Sequence, residues 1–121
     1  AKMKQHDVRV WLVNTGWSGG SYGTGERMKL KLTRAMISAA LRGELDAVSY
    51  KEQPAFGMRF PTTSPTVPEE ALDPRNTWKD KAAYDTTADK LAKQFNDNFA
   101  KYSEGASAEI RAAAPRAAVK A

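Results

Sequence analysis

The residues best suited to chemistry lie in one short stretch. Gly16 to Arg27 (GWSGGSYGTGER) places five glycines in twelve residues, and Arg27, Lys29, Lys31 and Arg34 follow as a cationic cluster. A glycine-rich loop that leads into a helix is suited to holding an anion. The first turn of the helix presents unbonded N–H groups and a partial positive charge. Gly20 and Gly25 have the spacing of a phosphate-binding loop, G-x-x-x-x-G-K-[ST], but Glu26 and Arg27 stand where that template needs lysine and a hydroxyl. Glutamate repels a phosphate, and no hydroxyl is offered to Mg²⁺. Gly23-Thr-Gly-Glu-Arg-Met28 also lacks the third glycine of a dinucleotide fingerprint. The loop therefore predicts contact with a nucleotide or another anion, with a purely structural turn as the alternative.

Other chemistries fare worse. The chain has no cysteine, which excludes a disulfide framework, thiol catalysis and a cysteine-ligated metal. Its single histidine, His6, excludes a His-rich metal site and stands isolated beside Asp7. No Ser-His-Asp set assembles, and the acidic pair Glu69-Glu70 falls in a proline-rich stretch. Trp11 and Trp17 are read as core or loop packing rather than base-stacking residues. Asp73-Pro-Arg-Asn-Thr-Trp78 is read as a turn, with Thr77 or Asp80 capping the helix that follows.

The 121 residues carry 19 Lys+Arg against 14 Asp+Glu, a formal charge of +5. All of the excess lies in residues 1–34, and the remainder is neutral. A focused anion site explains this better than a long nucleic-acid-tracking surface. At 41% apolar and 27% charged residues, the length and composition fit one globular domain. Val8 to Val13 is the longest nearly uninterrupted apolar run, far short of a membrane span. No signal segment opens the chain, and a soluble, cytoplasmic location is expected.

Elements must position the loop. Val8 to Val13 is rich in β-branched and aromatic residues and predicts a strand covered on both faces, as in a parallel sheet. Thr33 to Leu45 predicts a helix with Thr33 as a possible N-cap and Gly43 as terminator. Val48 to Thr63 predicts one or two short strands. Residues 61–76 hold four prolines and predict an extended loop or linker without helix. From about Asp80 to Ser103, the stripe Tyr84, Ala88, Leu91, Ala92, Phe95, Phe99 and Tyr102 predicts an amphipathic helix with an aromatic core face, ended by Gly105. Residues 106–121 form an Ala-rich tail with one or two helical turns before Pro115 and a frayed end.

Trp11-Leu-Val-Asn-Thr-Gly-Trp17, Gly25-Glu-Arg-Met28, Thr33-Arg-Ala-Met-Ile37 and Leu72-Asp-Pro-Arg-Asn-Thr-Trp78 occur in this order. The series resembles the C-terminal part of ATP-dependent phosphoenolpyruvate carboxykinase over roughly residues 4–104, and matches the GTP-dependent form less well. The resemblance implies an α/β fold (α+β for the piece alone), with residues 1–105 forming part of a C-terminal mononucleotide-binding domain. It implies conversion of oxaloacetate and ATP to phosphoenolpyruvate, ADP and CO₂, with Mg²⁺ and Mn²⁺. It also implies nucleotide contacts at Arg27, Met28 and Thr33, while Glu26 departs from the lysine often found there.

In that family the phosphate loop, metal ligands and oxaloacetate-binding arginine lie upstream of this segment. The chain is accordingly expected to be a fragment of a larger enzyme, with no catalytic or metal-ligating residue of its own and no activity alone. Its expected partners are ATP or ADP and the rest of the parent polypeptide, and self-association through an open sheet edge is a further expectation. The competing reading is a free-standing basic module for nucleic acid or another anionic partner.

Overall fold

The computed structural model describes residues 2–116. The order is α1 (Lys2–His6), β1 (Trp17–Ser18), β2 (Glu26–Arg27), α2 (Leu30–Leu41), β3 (Tyr50–Glu52), β4 (Arg59–Pro61), α3 (Glu69–Leu72), α4 (Pro74–Thr77), α5 (Lys81–Phe99), a 3₁₀ turn (Ala100–Gly105) and α6 (Ala108–Ala112). Helices and short strands make this an α+β arrangement. The strands form two antiparallel pairs, β1–β2 and β3–β4.

The first correction concerns Val8 to Val13, which forms no strand. A strand exists through ladder bonds to its neighbours, and among the described residues none lies alongside this one. Its apolar side chains are exposed, Leu12 by 79%. Arg9 reaches across to an ion pair with Asp46, just beyond the end of α2.

α2 begins three residues earlier than the sequence predicts. Lys29 takes the N-cap position, so Thr33 is an interior, buried residue rather than a cap. The chain turns out of the helix at Gly43, as expected, with Gly43 N–H bonded to Ala40 O.

The predicted short strands are β3 and β4, which pair Tyr50 with Pro61, Lys51 with Phe60 and Glu52 with Arg59. The Gln53 side chain closes their connection by accepting from Phe56 N–H, and Tyr50 OH donates 2.8 Å to Leu45 O.

Residues 61–76 require a second correction, because α3 and α4 are helices of one turn each. Pro68 and Pro74 sit at the N-cap of α3 and the first position of α4. A missing N–H costs nothing there, so proline starts these turns instead of preventing them.

α5 and its 3₁₀ extension cover the predicted long helix, and Asp80, not Thr77, caps it by accepting from Ala83 N–H. Its stripe is not the core face expected. Ala92 is buried, but Leu91, Phe95 and Tyr102 are exposed, Phe95 by 54% even with Phe56 packed edge-on against it. No second layer covers that face among the described residues. The buried apolar side chains are Ala39, Leu45, Ala55, Val67, Leu72 and Ala92, so this core is built from small and medium side chains.

The tail reaches α6 and then returns to the body. Pro115 O accepts from Asn96 Nδ2, and Arg116 N–H bonds to Ala55 O. The expected frayed end lies outside the described residues.

Candidate functional site: a latched glycine hairpin before α2

The glycine loop is not a slack connector. Trp17 pairs with Arg27 and Ser18 with Glu26, and Met28 N–H donates 3.1 Å to Gly16 O. Inside the hairpin, Thr24 and Gly25 N–H both bond to Ser21 O. Gly25 sits where three backbone atoms converge. A Cβ there would collide with Gly20 O and lie 2.6 Å from Ser18 O and 2.7 Å from Gly20 N. Only a residue without a side chain lets the two arms approach this closely.

The hairpin sets Arg27 on its outgoing arm, exposed, two residues before the N-cap of α2. Met28 is half-buried at the junction, and Thr33 is buried on the inner side of α2. The three nucleotide-contact residues named from the sequence thus occupy one junction at three depths. No side chain caps the first turn of α2, and no acidic residue lies in it. Leu32 and Thr33 N–H turn back to Lys29 O, which leaves the N–H groups of Leu30 and Lys31 at the helix start for an anion, with Arg27, Lys29, Lys31 and Arg34 close along the chain. Trp17 opposite Arg27 packs edge-on against Tyr22, ring centres 5.2 Å apart. This exposed aromatic pair, on the arm that faces Arg27, was not foreseen as part of the site.

A second unforeseen contact reaches the hairpin from 58 residues away. Gly19 N–H donates 3.0 Å to Thr77 Oγ1, and the same hydroxyl donates 2.7 Å to Pro74 O. Gly19 adopts φ +80°, and a Cβ on it would lie 2.9 Å from Thr77 O. Thr77 belongs to α4, which is itself held at both ends. Asp73 Oδ1 accepts from Arg75 N–H at its start, and Lys81 Nζ donates to the carbonyls of Arg75, Asn76 and Trp78 at 2.9–3.0 Å at its end. Arg75 forms a two-pronged pair with Asp85 at 2.8 and 2.9 Å. The Asp73 cap is a local contact that residue type can signal, but the Thr77–Gly19 bond and the lysine against helix carbonyls follow no sequence pattern.

The hydrogen bond from Arg75, aided by its charge and opposed by desolvation, holds the Asp85 carboxyl below its ordinary range. A carboxylate with a lowered folded-state pKa adds stability above its unfolded pKa, about 3.9, and loses it as pH falls through the folded value. Both partners are about half exposed, so the contribution is small. Asp85→Asn should therefore flatten part of the fall in urea midpoint below about pH 4. An unchanged acid limb would show that the pair contributes nothing.

Among the described residues, no group of three or more His, Cys, Asp or Glu side chains is arranged to hold a metal ion. The divalent cations implied by the sequence resemblance find no fitting ligand set here. Nor, among the described residues, is any helix long and apolar enough to cross a membrane.

A glycine hairpin leading into a helix start, with a cationic cluster along it, is an arrangement suited to a nucleotide or another anion. Comparison with known proteins makes this particular. The family model for phosphoenolpyruvate carboxykinase matches residues 1–70, more than half of the chain. The chain belongs to the phosphoenolpyruvate carboxykinase family.

Proteins named phosphoenolpyruvate carboxykinase (ATP) match nearly all of it. That of Flavobacterium johnsoniae is 61% identical over 114 residues, covering 94% of this chain and 21% of the relative. Those of Caldanaerobacter subterraneus and Thermus thermophilus are 54% and 51% identical over 115 residues each, covering 95% of this chain and 22% of each relative. The chain thus spans about a fifth of the length of the curated relatives it matches. The basic-module reading finds no support in these matches.

Proposed function

We propose that this chain serves as the nucleotide-contacting segment of a cytoplasmic, ATP-dependent phosphoenolpyruvate carboxykinase. The whole enzyme converts oxaloacetate and ATP to phosphoenolpyruvate, ADP and CO₂ in gluconeogenesis. The observation that carries the reading is the junction itself, where the hairpin delivers Arg27 beside the uncapped start of α2. In this reading residues 1–105 are part of the C-terminal mononucleotide-binding domain of the carboxykinase fold, followed by the tail. Mg²⁺ and Mn²⁺ are held by the remainder of the enzyme, and the segment alone is inactive.

The division of labour follows from side-chain chemistry. The planar Arg27 guanidinium hydrogen-bonds or stacks on the nucleotide, beside the Trp17–Tyr22 pair. Met28 offers backbone polar groups and an apolar wall. The Thr33 hydroxyl bonds base or ribose from the inner side of α2. The exposed apolar segment at Val8 to Val13 and the exposed face of α5 pack against the rest of the polypeptide.

The test uses a full-length enzyme, the Flavobacterium johnsoniae relative with its matching fifth replaced by this chain. Arg27→Ala should raise the Kd for ATP about 10- to 100-fold, the loss of one charge-assisted contact. The KM for oxaloacetate should stay unchanged. Unaltered ATP affinity would refute the assignment.

A further inference from the structure

We infer that Thr77 is a positioning residue for nucleotide binding: through Gly19 it latches the glycine hairpin to α4 and so fixes where Arg27 stands. The inference rests on the nucleotide reading above and adds a residue that makes no ligand contact of its own. Thr77 is half-buried, and its hydroxyl is bonded on both sides, accepting from Gly19 N–H at 3.0 Å and donating its one proton to Pro74 O at 2.7 Å. Gly19 directly follows β1, and β1 pairs with β2, which carries Arg27. Each of these strands is only two residues long, too short to hold an arm in place unaided.

The only side-chain bond to the hairpin backbone from α4 among the described residues is the one from Thr77. Contact continues in the backbone, since a Cβ on Gly19 would approach Thr77 O to 2.9 Å. α4 can act as an anchor because it does not move freely. Asp73 caps its start, Lys81 gathers three carbonyls at its end, and Arg75 is pinned to Asp85 on α5. A four-residue helix tied at both ends gives the hairpin an attachment, made by the Thr77 hydroxyl and the close backbone approach at Gly19.

The test compares Thr77→Val, Thr77→Ser and Arg27→Ala in the full-length hybrid enzyme, alone and combined. Thr77→Val keeps the shape and removes both hydrogen bonds. The KM for ATP should rise about fivefold, the size of one neutral hydrogen bond, with the KM for oxaloacetate unchanged. Thr77→Ser should restore the parental value. In the Arg27→Ala background, Thr77→Val should add little further loss, because both act through one contact. Thr77→Ala serves in place of Thr77→Val if the latter does not fold.

Equal losses with and without Arg27, or a parallel rise in both KM values, would overturn the latch while leaving the role of Arg27 intact. An Arg27→Ala variant with unchanged ATP affinity would instead overturn the nucleotide reading on which the latch rests.

Discussion

Gly25→Ala should weaken ATP binding by the full-length hybrid enzyme more than any other single glycine replacement, and should lower stability by about 3 kcal/mol, the upper end of overpacking effects. The added methyl meets main-chain atoms on three sides: Gly20 O, Ser18 O at 2.6 Å and Gly20 N at 2.7 Å. A side chain in the way could rotate aside, but these are backbone atoms of the incoming arm, which faces Gly25 across the hairpin. Relief requires the arms to separate, which breaks the pairing of Ser18 with Glu26 and of Trp17 with Arg27. Arg27 then loses its place before α2.

Gly105→Ala is the matched control. It lies at the end of the 3₁₀ turn, and a Cβ there would meet nothing within 4 Å. Thermal unfolding and ATP titration of both variants check the expectation. Equal effects from the two would show that glycine content, rather than the close approach at Gly25, governs the loop.

Lys81→Met is the second large effect, and its sign is informative. Lys81 is the first residue of α5, where a cation is disfavoured by the helix dipole by about 0.3–1 kcal/mol. Local reasoning therefore predicts that an uncharged replacement stabilises the protein. The ammonium group, however, donates to the carbonyls of Arg75, Asn76 and Trp78, the exposed end of α4. Hydrogen bonds from charged donors outweigh the dipole penalty, so the net result should be a loss of about 1–2 kcal/mol after allowance for partial exposure. Methionine keeps most of the apolar stem, which isolates the charge. Because α4 anchors Thr77, ATP affinity should fall with it. A variant as stable as the parent, measured by urea unfolding, would mean that the three bonds only offset the unfavourable position.

The sequence made the local elements legible where a pattern was complete within one segment. The 3.6-residue stripe announced α5, Gly43 marked the end of α2, and Val48 to Thr63 announced short strands, though their pairing as the β3–β4 hairpin came only from the structure. The cationic junction was legible as well, because residue type and position carry it: Arg27 and Met28 lie directly before a helix. Errors arose where an element depends on something beyond its own residues. Val8 to Val13 has strand composition and no strand, since no neighbour is present to receive its ladder bonds. The aromatic face of α5 has core composition, but Leu91, Phe95 and Tyr102 lie open. Pro68 and Pro74 read as helix breakers and instead start helices, because their effect depends on position within the turn.

By itself, then, the sequence determined the family, through ordered motifs that each occupy a few contiguous residues, and it determined that the basic excess gathers around one glycine loop. The tertiary structure alone decided what holds that loop. Thr77 on Gly19, Lys81 on α4 and Arg75 on Asp85 are bonds whose geometry arises only after folding brings the partners together. Thr77 and Gly19 stand 58 residues apart, whereas Lys81 turns back on carbonyls only three to six residues before it. Neither spacing belongs to a periodic pattern, so no repeat along the chain announces these bonds.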